Sequence, residues 1–302
     1  NNLTSYPIIE FSSEGGVAHF QGWDNGAWDV YSLPSGFVYD TMHEIGIILN
    51  GTNWDYTLDG IVLGSVAALG STQTRSIAER EATDKGPVRQ FLVEQAQRYG
   101  CWIFGGTLPV PVRLDGSYID SGRVRAASFV YDGAGRQIGR YDKRHMFDVD
   151  VDDNQKSYRE SDTFEPGDQL VVVDSPIGQV GLSVCYDIRF ADLYRALFLR
   201  GAECFAVPSA FTTVTGEAHF EVLMRARAVE NFSYCIASCQ GGIHDSGLMT
   251  YGHSMVVGPW GDIIVSCTEG ESVIKCKLDL ASLHEMRKEI PIESGFKYGF
   301  HQ

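Results

Sequence analysis

One stretch constrains the fold of this chain more than any other. Val171-Val172-Val173 and Val180-Gly181-Leu182-Ser183-Val184 are apolar runs that read as buried strand, and they end at Cys185-Tyr186-Asp187-Ile188-Arg189-Phe190. Beyond the cysteine, Leu193, Ala196, Leu197 and Arg200 recur at helical spacing, and Gly201 is placed to cap the helix. A strand that hands over directly to a helix is the unit from which helix-covered sheets are built, so the expected class is α/β. A thiol at that corner sits at an exposed sheet end, where the free N–H groups of the next helix favour negative charge. Such surroundings lower a thiol pKa and stabilise an oxyanion, which makes Cys185 a candidate nucleophile as well as a candidate buried core cysteine.

The remainder of the chain agrees with a mixed sheet covered by helices. Residues 1–63 carry little pattern: Gly16 to Gln21 and Ile45 to Leu49 read as strands around a stretch without a helical period. Gly86-Pro87 opens a helix with Val88, Phe91, Leu92, Gln95, Ala96 and Tyr99 on one face, closed by Gly100. Cys101 to Phe104 is a short strand, and Val124 to Tyr131 and Gln137 to Tyr141 flank the turn Asp132-Gly133-Ala134-Gly135. After the Cys185 unit come a strand at Cys204 to Pro208 and a helix at Glu217 to Asn231. The face Phe220, Leu223, Met224 and Arg227 of that helix reads as core with a snorkelling arginine. Strands follow at 233–238, 254–257 and 263–267, then a last strand at Ser272 to Leu278 and a terminal helix at Leu280 to Glu289. Neither a linker nor an internal repeat follows residue 64, so 1–302 reads as one domain.

Composition excludes several classes. A formal net charge of −15 repels phosphate backbones, so nucleic acid is not an expected partner. No apolar run reaches the roughly 18 residues that span a bilayer, and no secretory leader is expected. Seven cysteines are an odd number, and most lie in apolar runs, which suits a reduced, cytoplasmic protein, with a mitochondrial placement left open. Cys235, Cys239, His244 and His253 match no common zinc spacing, so no metal is expected. Asp148, Asp150 and Asp152 begin like a calcium loop, but Asp153 occupies the turn-glycine position and Arg159 that of the bidentate glutamate. The stretch Asp148 to Glu160 therefore reads as a solvated or site-covering loop.

A nucleophilic cysteine needs oxyanion donors and a base. Lys143 closes a strand expected to neighbour the Cys185 strand at the same sheet end, which makes it a candidate donor. Tyr141-Asp142-Lys143-Arg144-His145-Met146-Phe147-Asp148, Arg159-Glu160-Ser161 and Val184-Cys185-Tyr186-Asp187-Ile188-Arg189-Phe190 together resemble the nitrilase superfamily, the carbon–nitrogen hydrolases. Gly105 to Pro109, Pro208 to Phe211, Thr215 to Glu221, Arg225 to Ala228 and Tyr251 to Ser254 agree in order and spacing. The resemblance covers residues 64–302 and is best to the nitrilase-like amidase branch. The segments Gln240 to His244 and Thr250 to Ser254 look more like deaminated glutathione amidases than ω-amidases.

The resemblance implies an αββα sandwich, usually paired into homodimers or higher homo-oligomers, acting on a small-molecule amide without metal or cofactor. It implies that Cys185 is the nucleophile, that Lys143 and the Tyr186 backbone N–H hold the oxyanion, and that Glu160 helps to hold the lysine. It also implies a general-base glutamate, yet the expected position reads Gly64 in one register and Gly51 in the other. Glu44, Asp55 and Asp59 lie nearby without a spacing that selects one. A catalytically dead scaffold on the same fold therefore stays open, as does a hydrolase using His219 or His253 as base. Substrate-binding residues are not identified, although Arg189 and Arg225 would supply the positive charge that a carboxylate-bearing substrate needs.

Overall fold

The computed structural model describes the strand backbones within 8–58 and then residues 71–153, 155–243, 248–267 and 272–292. Strands β1 (Ile8–Ser12), β2 (His19–Asp24) and β3 (Ala27–Ser32) form an antiparallel meander within one unit, Asn1–Met42. The strand expected at Gly16 to Gln21 overlaps β2, while Gly16 to Ala18 lie outside the described residues. The second unit is His43–Gln302. That second unit opens with a hairpin of β4 (Ile45–Asn50) and β5 (Asn53–Leu58), then helix α1 (Ser71–Arg80).

Helix α2 (Pro87–Tyr99) has the boundaries that its sequence predicts: proline at the first position and Gly100 at φ 62°, where a side chain would be strained. Its N-terminus is closed by a residue that the sequence did not suggest, the buried Glu81, whose carboxylate accepts the Val88 N–H at 2.7 Å. Strands β6 (Ile103–Phe104) and β7 (Leu108–Val110) line one edge of β8 (Arg125–Tyr131), and β9 (Gln137–Asp142) lines the other. Asp132 accepts the N–H groups of Ala134 and Arg136 at the tip of the β8–β9 hairpin.

The expected loop at Asp148 to Glu160 is a small hairpin, β10 (Asp148–Asp150) and β11 (Ser157–Arg159). Its acids serve the hairpin. Asp148 accepts the Ser161 N–H, Asp150 pairs with Arg159 at 2.9 Å, and Asp153 accepts the Tyr158 hydroxyl at 2.7 Å.

The larger sheet holds β12 (Val172–Ser175), β13 (Gly178–Leu182), β14 (Cys204–Ala206), β15 (Tyr234–Ala237), β18 (Met255–Val257) and β19 (Ile263–Ser266), in that spatial order. The β13–β14–β15 core of this sheet is parallel and its flanks are antiparallel, so the sheet is mixed as expected. Helix α3 (Ala191–Leu199) follows β13. After β14 a single turn, α4 (Thr213–Thr215), and a wider turn at Gly216–Phe220 lead into α5 (Glu221–Asn231). A hairpin of β16 (Gly241–Ile243) and β17 (Met249–Tyr251) precedes β18, and α6 (Leu280–Glu289) follows the sheet. Ser272 to Leu278 forms no strand. Its period-2 pattern is real, because Ile274, Cys276 and Leu278 lie against the core, but it reports a face resting on that core.

Strand alternation explains the layering. On β8, Ala127, Phe129 and Tyr131 meet Leu92 and Ala96 of α2, while Val130 points to the opposite face. On β14 and β15, Phe205, Cys235 and Ala237 meet Leu197, Phe198, Met224 and Ala228 of α3 and α5. Cys204, Ala206, Tyr234 and Ile236 point away from those helices and join Val130, Tyr141, Val173, Val180 and Leu182 between the two sheets. The order helix, sheet, sheet, helix is the αββα sandwich. Its apolar middle layer leaves little room: a Cβ on Gly139 of β9 would fall 2.6 Å from Val173 Cγ1 of β12.

Candidate active site

Cys185 and Lys143 come together differently from the arrangement that the sequence suggests. The expected lateral pairing of their strands does not occur, because β9 and β13 belong to different sheets. Both residues lie just beyond the ends of strands that face each other across the middle layer. The Lys143 N–H donates to Ala126 O and its carbonyl accepts from Gly167, which holds the backbone while the side chain turns inward. That side chain is 4% exposed, and its ammonium meets both carboxylate oxygens of Glu160 at 2.7 and 2.5 Å. Glu160 Oε2 also accepts the Phe147 N–H at 2.6 Å. The pair expected from the sequence is therefore formed, with Glu160 opening a short turn at the foot of β11.

Cys185 is partly exposed and stands at φ 50°, in the left-handed region that a side chain rarely adopts. The strain is held by a short 3₁₀ turn (Cys185–Arg189) between β13 and α3, and by a hydrogen bond of 2.7 Å from Cys185 N to Pro208 O. Tyr186 is the second residue of that turn, where backbone N–H groups have no acceptor within the turn.

The electrostatics correct one expectation. Burial pushes the Cys185 thiol above its ordinary value, and the negative charges of Glu160 and Asp187 add to this. The Lys143 ammonium and the Ala210 N–H pull the other way without prevailing. For Lys143, burial alone would lower the pKa, but Glu160 and Cys185 outweigh it and the net direction is up. A cationic lysine facing a thiol is the arrangement that favours a thiolate once anything takes the proton.

Two neighbours went unassigned in the sequence, and a third was read differently. Asp187 is fully buried and bonded to Tyr141, His145 and Val184. Three residues beyond Val184, its carboxylate reaches back to the Val184 N–H, but Val184 is not the Ser or Thr of a capping box, so the sequence carries no signature for it. Ala210 faces the thiol through its backbone, which no side-chain pattern announces. Arg227, expected to snorkel, is buried. Its Nε donates to Ile188 O at 2.7 Å and it pairs with Glu230, because the turn carrying Cys185 leaves that carbonyl facing α5.

Aromatic rings join the two halves of the site. The His145 ring stacks on Phe190 at 3.7 Å, and Tyr186 sets its edge against Phe147 and Phe190. Arg189 lies over Tyr186 and Phe211 and meets His219 Nδ1 at 3.2 Å. Arg225 is instead bound to Gly261 O and Glu221. His253 is held by Tyr251 O at 2.7 Å. Cys235 and Cys239 lie in the apolar layer under α3 and α5. Gly51, Gly64, Glu44, Asp59 and His244 lie outside the described residues, and Asp55 falls within β5.

Comparison with known proteins agrees with this geometry. The carbon–nitrogen hydrolase family model matches residues 56–288. The deaminated glutathione amidase of Yersinia enterocolitica is 44% identical over 212 residues, covering 70% of this chain and 72% of that protein. The chain spans only half of the Bos taurus deaminated glutathione amidase, at 42% identity over 164 residues. Omega-amidase NIT2 of Bos taurus is 34% identical over 209 residues, covering 69% of this chain and 72% of that protein. Among solved structures, the C. elegans NitFhit protein matches with a TM-score of 0.67 at 28% identity, over 85% of this chain and 66% of that one. Saccharomyces cerevisiae Nit3, of the nitrilase superfamily, matches with a TM-score of 0.68 over 87% of this chain and 100% of its own, and at 24% identity supports the fold alone. With the sandwich, the cysteine corner and the lysine–glutamate pair in place, the chain belongs to the carbon–nitrogen hydrolase family.

Proposed function

We propose that this chain is an amidase that converts a terminal carboxamide to a carboxylic acid and ammonia through a thioester on Cys185. The observation that carries the reading is a strained thiol beside the buried Lys143 ammonium, which Glu160 pairs. The sulfur attacks the carbonyl carbon, and the oxyanion is held by Lys143 and the Tyr186 N–H. The C–N bond then breaks, the amine takes the proton that the thiol gave up, and ammonia leaves. Water hydrolyses the thioester, releasing the acid and the free thiol. Glu160 keeps Lys143 charged and aimed.

Deaminated glutathione is the substrate we favour, since relatives at 44% and 42% identity carry that name. Arg189, beside the Cys185 turn, is the candidate for a substrate carboxylate, whereas Arg225 is committed elsewhere. The omega-amidase reading rests on the relative at 34% identity. The glycines at both registers of the expected base favour a second reading, a catalytically dead scaffold on the same fold. We further read the protein as a homodimer or higher homo-oligomer, not a binder of nucleic acid or membrane, in the cytoplasm, the compartment that suits an odd number of cysteines lying mostly in apolar runs.

The test is ammonia release from deaminated glutathione and from α-ketoglutaramate. Release from the first, abolished by Cys185→Ala, supports the reading. Undiminished release from Cys185→Ala refutes it, and cleavage of neither amide turns the assignment to the scaffold.

A further inference from the structure

The reaction above gives Asp187 no part, although it is fully buried at the centre of the site. Its two oxygens join both halves of that site. Oδ2 accepts the Val184 N–H at 2.9 Å and the Tyr141 hydroxyl at 2.7 Å. Oδ1 accepts the His145 N–H at 3.1 Å and lies 2.7 Å from His145 Nδ1. Val184 immediately precedes Cys185, and Tyr141 and His145 stand two residues to either side of Lys143. These segments follow strands of different sheets, so no ladder hydrogen bond fixes one against the other. The thiol also occupies a backbone conformation that persists only where its surroundings impose it.

We propose that Asp187 is a positioning residue, a clamp that joins the end of the Lys143 strand to the Cys185 turn and keeps ammonium and thiol in register. The proposal rests on the reading of Cys185 as nucleophile and Lys143 as oxyanion donor. An ionised carboxylate suits the task because it only accepts, with room for about four hydrogen bonds. An asparagine has one accepting oxygen, and its amide must face either the Val184 or the His145 backbone N–H. Neither donor can rotate away, so one half of the clamp opens.

The clamp also carries charge into the site. Tyr141, His145, Tyr194, Lys143 and Cys185 surround Asp187. Around the thiol, Lys143 and the Ala210 N–H favour the thiolate, Glu160 and Asp187 oppose it, and Cys239 is in electrostatic reach. Removing the Asp187 charge therefore lowers the pH at which the thiol ionises, an effect that loosening alone does not produce.

The experiment compares the wild-type chain with Asp187→Asn. Iodoacetamide labelling of Cys185 is followed against pH by mass spectrometry, and kcat and KM are measured for amide hydrolysis. The expected result is a labelling midpoint at lower pH and a kcat reduced by about 10²-fold with KM little changed, the scale of a misplacement near 1 Å. An unmoved midpoint with kcat within about threefold of wild type overturns the proposal. If the wild type hydrolyses no amide offered, the functional reading fails, and hydrogen exchange of the Val184 and His145 backbone N–H groups decides the clamp: faster exchange in Asp187→Asn supports it and unchanged exchange overturns it. If Asp187→Asn does not unfold cooperatively, Tyr141→Phe replaces it, removing one bond and leaving the charge. That variant should lose about tenfold in kcat with no downward movement of the midpoint, and wild-type kcat there overturns the clamp.

Discussion

Glu160→Gln probes the pair on which the site turns. In the wild type both carboxylate oxygens hold Lys143 Nζ, and one of them also holds the Phe147 N–H. An amide of the same shape keeps a single acceptor and no charge, so the ammonium loses its counter-ion and one hydrogen bond. Hydrogen bonds to charged groups contribute about 1.5–3 kcal/mol, and removing one partner of a buried pair costs about 3–5 kcal/mol. Lys143 is 4% exposed but Glu160 is 18% exposed, so solvent relieves part of that loss. About 2–3 kcal/mol is the expected destabilisation, which at roughly 2–4 °C per kcal/mol lowers Tm by about 4–12 °C.

The pH dependence carries a sign. Burial opposes the ammonium, yet Glu160 and Cys185 leave the Lys143 pKa above its ordinary value. A lysine raised on folding contributes stability fully present below its unfolded pKa and lost as pH rises through the folded one. The deficit of Glu160→Gln should therefore be full at pH 7 and 9 and shrink only above about pH 10.5. Urea unfolding followed by circular dichroism measures it. A deficit below about 0.5 kcal/mol at pH 7 would mean that the ion pair adds nothing to the fold, and would refute the reasoning.

Other perturbations follow from the same contacts. Lys143→Ala should cost about 10²–10³ in turnover and move the iodoacetamide labelling of Cys185 to higher pH, since the ammonium favours the thiolate; an unmoved labelling profile would exclude direct coupling. Cys185→Gly should be more stable than Cys185→Ala by about 1–2 kcal/mol in denaturant, because φ 50° strains only the alanine. Arg227→Met should lose about 1–3 kcal/mol and slow turnover, because Ile188 O is left without its donor; normal stability would place that carbonyl in contact with solvent. Burial raises the Glu81 carboxyl, so its contribution to stability is full below its unfolded pKa and lost as pH rises through the folded value. Glu81→Gln, which keeps an acceptor for Val88, should flatten the stability profile as pH rises above about 4.5 in urea titrations, and a profile identical to wild type would refute this.

Much of the sandwich was legible because its elements are local. Pro87 and Gly100 delimit α2 by their own backbone preferences, and Leu280 to Glu289 emerges as a helix at the expected residues. What the sequence hid were contacts between distant segments. That β9 and β13 face each other, instead of pairing, is decided by apolar side chains contributed from many strands. The alternation at Ser272 to Leu278 looks the same whether a stretch pairs in a sheet or only rests on one. Within the site, Cys185, Lys143 and Glu160 could be named from their motifs. The effect of burial on the thiol could not, because it depends on what the whole fold packs around it.

The thin middle layer has a consequence for how the chemistry can be tuned. Thiol and ammonium are carried by opposite sheets, so their separation is a reading of the thickness of the hydrocarbon between them. Gly139, four residues before Lys143, lies close against the facing sheet, and even a methyl group there would meet Val173 Cγ1 at 2.6 Å. Packed interiors yield little to compression, so such a methyl must displace the Val173 side chain or the strand that carries it. Where that strand moves, thiol and ammonium move relative to each other although no polar residue has been touched. On the proposed mechanism the core is then the spacer of the reacting pair, and substitutions far from any substrate can set its rate.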